Sequence, residues 1–303
     1  MQQLERRESV ALGQPHVLTE EEARWCVELR AALKQAGIPA PASDYELAIF
    51  ALVGKADTAK SVQRVTRFNA TVAKHGLDVR SDGAASGAWG LEYLPDYASP
   101  SVGVDREGRP FFYIRGAGMT PSNLAGDGLS WYAQLCLDAT NGVNCDLDRA
   151  RTGYTCVYNC EGVRPRHMSM AVSMAEAELF QNALPVRPKQ FLILDAPMLV
   201  RGFVKLMKPF LTQKMQSRIK FIRSDELTNY VEPSQLARRF GGAQEDITIA
   251  QYLERTMPRR HQSIEAVDLA VSLGAAAPPP PLLQARHSSA GSGAIFVGEA
   301  ELA

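Results

Sequence analysis

The sequence lacks the long apolar runs, the charge imbalance and the leader segment that mark several large classes of protein. No apolar run approaches the roughly 18 residues that a membrane-spanning helix needs. Lys plus Arg and Asp plus Glu both number 33, so the formal net charge is zero and predicts no nucleic-acid partner. The first residues contain no apolar stretch of the secretory type. These absences favour a cytoplasmic protein.

Cysteine is also scarce, and its spacing predicts neither a disulfide framework nor a zinc site. The five cysteines are Cys26, Cys136, Cys145, Cys156 and Cys160, an odd set without four ligands at workable spacing. Cys156 and Cys160 lie four residues apart in a predicted strand, and we interpret them as small apolar residues on one face. We expect no metal site.

Catalytic motifs are missing as well. Gly116-Ala117-Gly118 begins like a dinucleotide-binding fingerprint, but Pro121 stands where the third glycine belongs. No Walker-type phosphate loop is present, and the five histidines are scattered along the chain. We therefore expect no enzyme, no catalytic residues and no cofactor. A hydrolase that uses His167 and Cys156 is the alternative that the sequence leaves open.

The composition, with 46% apolar and 22% charged residues, is typical of a globular protein with a substantial core. Residues 1–43 form an N-terminal extension with one predicted helix, which begins at a capping box headed by Thr19. Residues 44–77 form a helical module, with Ser43 and Asp57 as further capping residues. We expect three short amphipathic helices that make a small bundle.

Strands and helices alternate within residues 90–245. The candidate strands are 111–114, 154–158, 191–194 and 219–222, and the candidate helices between them are 131–137, 168–183 and about 198–211. Residues 78–105, rich in Gly, Ser, Asp and Pro, are interpreted as a connection. Strands separated by helical stretches favour an α/β fold with a sheet built from βαβ units.

The C-terminal region has two parts. Residues 246–273 contain one predicted helix, near 247–256. Residues 274–303 are an Ala- and Pro-rich tail with four consecutive prolines, Pro278 to Pro281, and cannot build a core. We expect the tail to be disordered, and a proline-rich ligand for a protein partner is the alternative.

Charge is distributed unevenly despite the neutral total. Residues 187–223 carry nine basic residues and a single acidic one, Asp195. Large apolar residues such as Phe203, Met207 and Phe210 are interleaved with them. One interpretation is a core-packed helix with a basic solvated face. The other is a face that meets an anionic membrane, where each Lys or Arg contributes about 1 kcal/mol.

The same region resembles a known family. Four segments resemble the C-terminal half of a CRAL-TRIO domain: Phe191 to Pro197, Lys208-Pro209-Phe210-Leu211-Thr212, Arg218-Ile219, and Leu236 to Gly242. Gly153, Glu161-Gly162 and His167 resemble the strand and turn upstream, and the resemblance covers roughly residues 44–245. It implies an α/β domain whose sheet floors an apolar pocket, with flanking helices and a mobile gate helix at about 198–211, preceded by a small helical module.

The resemblance and the alternation of side chains along strands give candidate pocket residues. They are Tyr154 and Tyr158 on one strand face, Val186 and Phe191 at positions near the family's pocket, and Phe203 and Met207 on the gate helix. Core packing remains the alternative for each of them. A tyrosine such as Tyr158 has a hydroxyl that could bind the polar end of a ligand.

The resemblance also implies a membrane-docking cluster. Arg187, Lys189, Lys214 and Arg218 match basic residues with which a family member contacts phosphoinositide headgroups. The phosphatidylinositol-transfer members pair a glutamate with a lysine where this sequence has Val186 and Arg218, so we do not expect phosphatidylinositol in the pocket.

These expectations combine into one functional hypothesis. The protein binds a small hydrophobic lipid, transfers it between membranes, and associates transiently with anionic membranes, including those that contain phosphoinositides. The alternative is a lipid-sensing adaptor that recruits a protein partner through its Pro-rich tail.

Overall fold

A computed structural model describes residues 16–79, 98–118, 120, 128–245 and 247–272. The strands are β1 (Ala98–Val104), β2 (Pro110–Arg115), β3 (Tyr154–Asn159), β4 (Pro188–Leu194) and β5 (Ile219–Ile222). The α-helices are α1 (Glu20–Gln35), α2 (Asp44–Gly54), α3 (Thr58–His75), α4 (Gly128–Val143), α5 (Leu147–Thr152), α6 (Met170–Glu178), α7 (Met198–Met207), α8 (Gln213–Gln216) and α9 (Ile249–Ser272). The predicted tail, residues 274–303, lies outside the described residues.

The five strands form one sheet in the order β1-β2-β3-β4-β5. β1 pairs antiparallel with β2, and the other neighbouring pairs are parallel. The parallel strands are connected through helices, as parallel pairing requires. The predicted α/β class with flanking helices is therefore confirmed.

The two faces of the sheet have different partners. On one face, Phe111, Tyr113, Val157, Leu192 and Ile222 pack against the segment that follows β5, through Leu227, Val231 and Leu236. The opposite face presents Phe112, Ile114, Tyr154, Cys156 and Phe191, which face α4, α6 and α9. Because successive side chains of a strand point to opposite faces, every other residue of β2, β3 and β4 is directed toward these helices.

The helices before the sheet begin where the capping residues predict. Thr19 caps α1 in a complete capping box, Ser43 caps α2, and Asp57 caps α3. The prediction that all three are amphipathic is wrong for α2, whose residues from Tyr45 to Leu52 are almost all buried. The reason is that α2 packs against α1, α3 and α9 together, so that no face of it is left to solvent.

Residues 78–105, predicted to be a connection, include β1, which is a strand although Pro100 and Gly103 suggested a connection, because an edge strand tolerates proline. α9 fills most of the predicted C-terminal helical region 246–273, beyond the part near 247–256 that the periodicity indicated, and contains Pro258. Two other predicted helices have different ends. The predicted helix 168–183 is α6 followed by a π-helical turn, Leu179–Ala183. The predicted helix 198–211 is α7 followed by a 3-10 turn, Lys208–Phe210.

Candidate functional site

Two adjoining cavities lie between the sheet and the helices on one of its faces. The larger has a volume of about 250 Å³ and lies under α6 and α7. The smaller, of about 70 Å³, lies against α4. Ile114, Cys156, Phe180 and Phe191 line both of them, so the two cavities adjoin at these side chains. Their walls are mainly aliphatic and aromatic, which is the usual lining of a site for an apolar molecule.

All six pocket residues suggested by the sequence lie in these walls. Tyr154 and Val186 line the smaller cavity, Tyr158, Phe203 and Met207 line the larger one, and Phe191 lines both. Tyr154 and Tyr158 are on the same face of β3, as the strand period requires. Contact of these residues with a ligand stays a prediction.

Other wall residues were missed at the level of sequence. Ile114, Ile193 and Ile219 extend the floor of the larger cavity on β2, β4 and β5. The alternation that picked out Tyr154 and Tyr158 on β3 would have found them if it had been applied to the other strands. Cys156, interpreted as a small core residue, also lies in both walls.

The larger cavity contains a few polar groups on α6 and β3. Glu176 accepts a hydrogen bond from the hydroxyl of Tyr132 on α4. Burial raises the pKa of Tyr158 well above its ordinary value, and the charge of Glu176 raises it further. His167 lies at the cavity wall, and its pKa is lowered by partial burial and by Arg166 and Arg164.

The hydrolase alternative finds no support in the chemistry of its two residues. Burial, with the charge of Glu176, raises the pKa of Cys156 to about 12. The thiol is therefore protonated near neutral pH, which is the unreactive form. His167 accepts a hydrogen bond at Nδ1 from the backbone N–H of Arg164 at 3.0 Å. Among the described residues, no group of three His, Cys, Asp or Glu side chains is arranged to hold a metal ion.

α7 covers the larger cavity and is apolar on two sides. Val200, Phe203, Val204 and Met207 point into the cavity. On the outer side, Met198, Leu199 and Leu206 of α7 and Phe210 of the following turn are exposed, Met198 with 85% of its surface and Leu206 with 64%. Exposed large apolar residues grouped in one short segment mark a surface that contacts an apolar partner.

Two glutamine side chains form hydrogen bonds with the backbone of residues 208–212, the segment that follows α7. Gln181, in the π-helical turn after α6, accepts from the backbone N–H of Thr212 at 3.0 Å and donates to the carbonyl of Phe210 at 3.3 Å. Gln216 donates to the carbonyls of Lys208 and Leu211 at 3.0 and 2.9 Å. Arg64 of α3 in turn donates to the carbonyl of Leu184 at 2.6 Å, which connects α3 to the end of the π-helical turn.

The four basic residues matched by the resemblance come together, and a fifth joins them. The positive charges of Lys55, Arg218 and Arg187 lower the pKa of Lys214. The charges of Arg187, Lys55 and Arg218 likewise lower the pKa of Lys189, so these side chains lie near one another. Lys55 caps the C-terminus of α2 in a left-handed conformation, with φ of 56°. We call Lys55, Arg187, Lys189, Lys214 and Arg218 the basic cluster. No local pattern identified Lys55 as a member, because only tertiary packing brings it near the other four.

The basic cluster is electrostatically strained. Partial burial, with the charges of Lys55 and Arg218, lowers the pKa of Lys214 to about 8. Burial also lowers the pKa of Arg187, Lys189 and Arg218. In the part of the chain that the structure describes, no carboxylate forms an ion pair with any of the five. Such a cluster of uncompensated cations favours an anion that bridges several of them.

The sequence and the structure can be compared with known proteins at this point. Residues 96–242 match the model of the CRAL/TRIO domain family. The crystal structure of Sfh5 is similar to this chain with a TM-score of 0.49 and 10% sequence identity, over 72% of this chain and 81% of that one.

Residues 96–242 of this protein therefore form a CRAL-TRIO domain. The resemblance drawn from the sequence is confirmed. At the level of the family, its function is lipid binding and lipid transfer, which is consistent with a cavity that has mainly apolar walls. Across the described residues, no helix combines the length and the apolar character needed to cross a bilayer.

Proposed function

We propose that this protein holds one hydrophobic lipid in the two adjoining cavities, releases it by movement of α7, and carries it between membranes without catalysing a reaction. The observation that carries the proposal is the pair of cavities with mainly apolar walls, which share Ile114, Cys156, Phe180 and Phe191 under a helix that is apolar on both sides. Removal of apolar ligand surface from water contributes about 25 cal/mol per Å², so an enclosed cavity holds such a ligand mainly by its area.

A gate is required because the ligand cannot cross water unaided. α7 is the part of the wall that suits this role, since Phe203 and Met207 face the cavity while Met198 and Leu206 face outward. At a membrane, the outward residues exchange water for the acyl region, which stabilises the helix in an open position. The ligand then moves between two apolar phases.

The basic cluster supplies the membrane contact in this proposal. α7 and the 3-10 turn Lys208–Phe210 lie between β4 and β5 in the chain. Lys214 and Arg218 follow them, just before β5. The exposed apolar residue nearest to them in sequence is Phe210. Each cation near an anionic surface contributes about 1 kcal/mol, so several cations give reversible docking that salt weakens. Phosphoinositide headgroups, which carry several phosphates, fit such a cluster best.

Lipid transfer is tested directly with purified full-length protein. The measurements are native mass spectrometry of the protein as isolated and transfer of a fluorescent lipid from donor to acceptor vesicles. We expect a bound lipid that survives purification, and transfer that rises in proportion to protein concentration. A protein that carries no lipid and does not accelerate transfer of any lipid class tested would refute the proposed function.

Docking is tested separately by charge reversal. The variant Lys214→Glu with Arg218→Glu should keep its lipid-binding capacity but lose binding to vesicles that contain anionic lipid, because four units of charge change within the basic cluster. The matched control is Lys34→Glu with Lys74→Glu, which makes the same change in net charge at exposed positions on α1 and α3. Equal vesicle binding by the two double variants would refute the docking face.

A lipid-sensing adaptor is the second candidate. Its support is the run from Pro278 to Pro281, which favours the extended polyproline conformation that several peptide-binding domains recognise. Deletion of residues 274–303 distinguishes the two candidates. Transfer between vesicles should survive the deletion if the protein is a carrier, whereas an adaptor would lose its protein partner in pull-down experiments.

A further inference from the structure

A third cavity, of about 220 Å³, lies where the helices α2, α3 and α9 meet α4. Leu137 and Asn141 of α4 line it. Cys136 and Thr140, on another side of the same helix, line the smaller cavity of the proposed lipid site instead. None of the described wall residues of the third cavity is shared with the other two, and most of them lie outside residues 96–242. It is therefore a separate site.

Aromatic and aliphatic side chains form most of the wall of the third cavity. Phe50 of α2 and Phe68 of α3 meet edge to face, with their ring centroids 5.3 Å apart. Both line the cavity, together with Ile49, Val72 and Leu137. A wall of this kind suits a flat apolar ring, which packs well against the faces and edges of other rings.

One polar side chain in this wall lacks a partner within the described chain. Asn141 has only 5% of its surface exposed, and no hydrogen bond joins its side-chain amide to another described residue. The two other amides in the wall are paired: Asn144 donates to the carbonyl of Pro185 at 2.8 Å, and Asn69 donates to that of Pro39 at 2.9 Å. Because buried polar groups almost always form hydrogen bonds, the Asn141 amide indicates a partner that enters the cavity.

The charged groups of the wall compensate each other. Arg260 of α9, whose side chain is 8% exposed, forms an ion pair with Glu46 of α2 at 3.1 Å and lies over the ring of Tyr45 at 5.5 Å. Glu46 also accepts a hydrogen bond from the backbone N–H of Ala42 at 3.2 Å. A charged ligand would meet one partner of like sign in this pair, so the loss of its hydration would not be compensated. The third cavity therefore favours an uncharged ligand.

We propose that the third cavity binds a compact, uncharged molecule in which an aromatic ring carries a carboxamide, and that the carboxamide forms paired hydrogen bonds with Asn141. The side-chain amide presents a donor beside an acceptor, so a second amide is its best match. The ring occupies the space beside Phe50 and Phe68. This site goes beyond the proposed function, since a ligand bound here needs neither α7 nor the two cavities against the sheet.

The test compares three probes that share one ring system: naphthamide, naphthoate and methylnaphthalene. Isothermal titration calorimetry near pH 7 measures their binding to full-length protein, with and without an excess of oleyl alcohol, which competes for the two apolar cavities. We expect naphthamide to bind at least about tenfold more tightly than the other two probes, because only naphthamide pairs with Asn141 without bringing a charge. Oleyl alcohol should leave its affinity unchanged.

Substitutions assign the binding to Asn141. Asn141→Leu removes the amide at similar volume and should weaken naphthamide binding at least about tenfold, with little effect on methylnaphthalene. Asn141→Ser keeps one hydroxyl in place of the amide edge and should give an intermediate affinity. The matched control, Asn229→Leu, makes the same replacement at an exposed position after β5 and should leave all affinities unchanged. Circular dichroism checks that each variant is folded.

Each contrary outcome overturns the inference without touching the proposed function. Equal affinity for naphthamide and methylnaphthalene would refute it, as would an unchanged affinity for naphthamide in folded Asn141→Leu. Displacement of naphthamide by oleyl alcohol would place the amide in the apolar cavities against the sheet and refute it as well. Binding of none of the three probes would mean that water alone pairs with Asn141. Lipid transfer between vesicles, measured separately, decides the proposed function in every case.

Discussion

The side chain of Tyr158 lies directly over the backbone of Gly116, so that its hydroxyl and ring atoms occupy the space that a Cβ at position 116 would need. Gly116 begins the 3-10 turn after β2, and Tyr158 lies near the end of the neighbouring β3. The absence of a side chain at position 116 thus sets where the Tyr158 ring can lie in the wall of the larger cavity.

The substitution Gly116→Ala should therefore reduce the lipid capacity of the cavity. The new methyl group meets the rigid end of the Tyr158 ring, which must move toward the cavity, and overpacking of this kind costs about 1–3 kcal/mol. We expect a lower affinity for a fluorescent lipid in equilibrium titration. The double variant Gly116→Ala with Tyr158→Leu should recover the affinity, because leucine vacates the space; failure to recover it would show that Gly116 acts in another way.

Asp195 connects the end of β4 to the segment after β5. It has a φ of 46°, and its Oδ1 accepts a hydrogen bond from the backbone N–H of Ser224 at 3.1 Å. Left-handed backbone is tolerated by Asn and Asp better than by other residues with a side chain. The aspartate is therefore suited to the backbone conformation at position 195.

Substitutions at Asp195 separate the backbone effect from the hydrogen bond. Asp195→Asn should change the free energy of unfolding by less than about 0.5 kcal/mol, measured by urea denaturation. Asp195→Gly and Asp195→Ala both remove the carboxylate, but only alanine strains the left-handed conformation. The glycine variant should therefore be more stable than the alanine variant by about 1 kcal/mol. The reverse order would contradict a role for backbone conformation here.

Local features of the sequence predicted the parts of the fold that depend on local chemistry. Thr19, Ser43 and Asp57 marked the starts of α1, α2 and α3 because a capping hydrogen bond needs only residues three apart. The buried apolar run at Phe191 to Leu194 was likewise sufficient to place β4. β1 was missed because its strand character comes from pairing with β2 rather than from its own residues, which include Pro100 and Gly103.

The site was less predictable because it is assembled from distant segments. Glu176 lies in a helix whose Met- and Ala-rich sequence has no clear polar face, so nothing local showed that it would face the cavity. Lys55 joins the basic cluster only because α2 packs so that its C-terminus meets β4 and α8. The resemblance to the family supplied the other members of the cluster, which periodicity alone would have left as a solvated basic face.

Gln181 provides a test of whether the segment after α7 must loosen for the ligand to leave. Gln181→Ala removes one hydrogen bond to Thr212 and one to Phe210. Each is worth about 1 kcal/mol, so loss of both should make release of a fluorescent lipid in stopped-flow experiments up to roughly thirtyfold faster. The control is Asn182→Ala, since the exposed Asn182 amide donates to Glu178 and not to this segment. Equal release rates for the two variants would indicate that the segment does not limit release.

Lys214 makes docking depend on pH in a defined direction. Its pKa of about 8 lies below the ordinary 10.5 because of partial burial and the charges of Lys55 and Arg218. At a pH between about 8 and 10.5, the folded protein binds fewer protons than the unfolded chain. The charged lysine therefore destabilises the fold fully below about pH 8. This destabilisation is lost as the pH rises above that value. An anionic headgroup beside Lys214 relieves the same repulsion while the lysine is charged.

Binding to vesicles that contain anionic lipid should therefore weaken as the pH rises from 7 to 9, a range that spans the pKa of about 8 at which Lys214 loses its charge. The variant Lys214→Arg keeps its charge throughout this range, because the guanidinium titrates only at far higher pH. It should show a much smaller decline. Co-sedimentation at constant ionic strength measures both proteins. An identical decline in the two would mean that another group titrates, and that Lys214 does not contact the membrane.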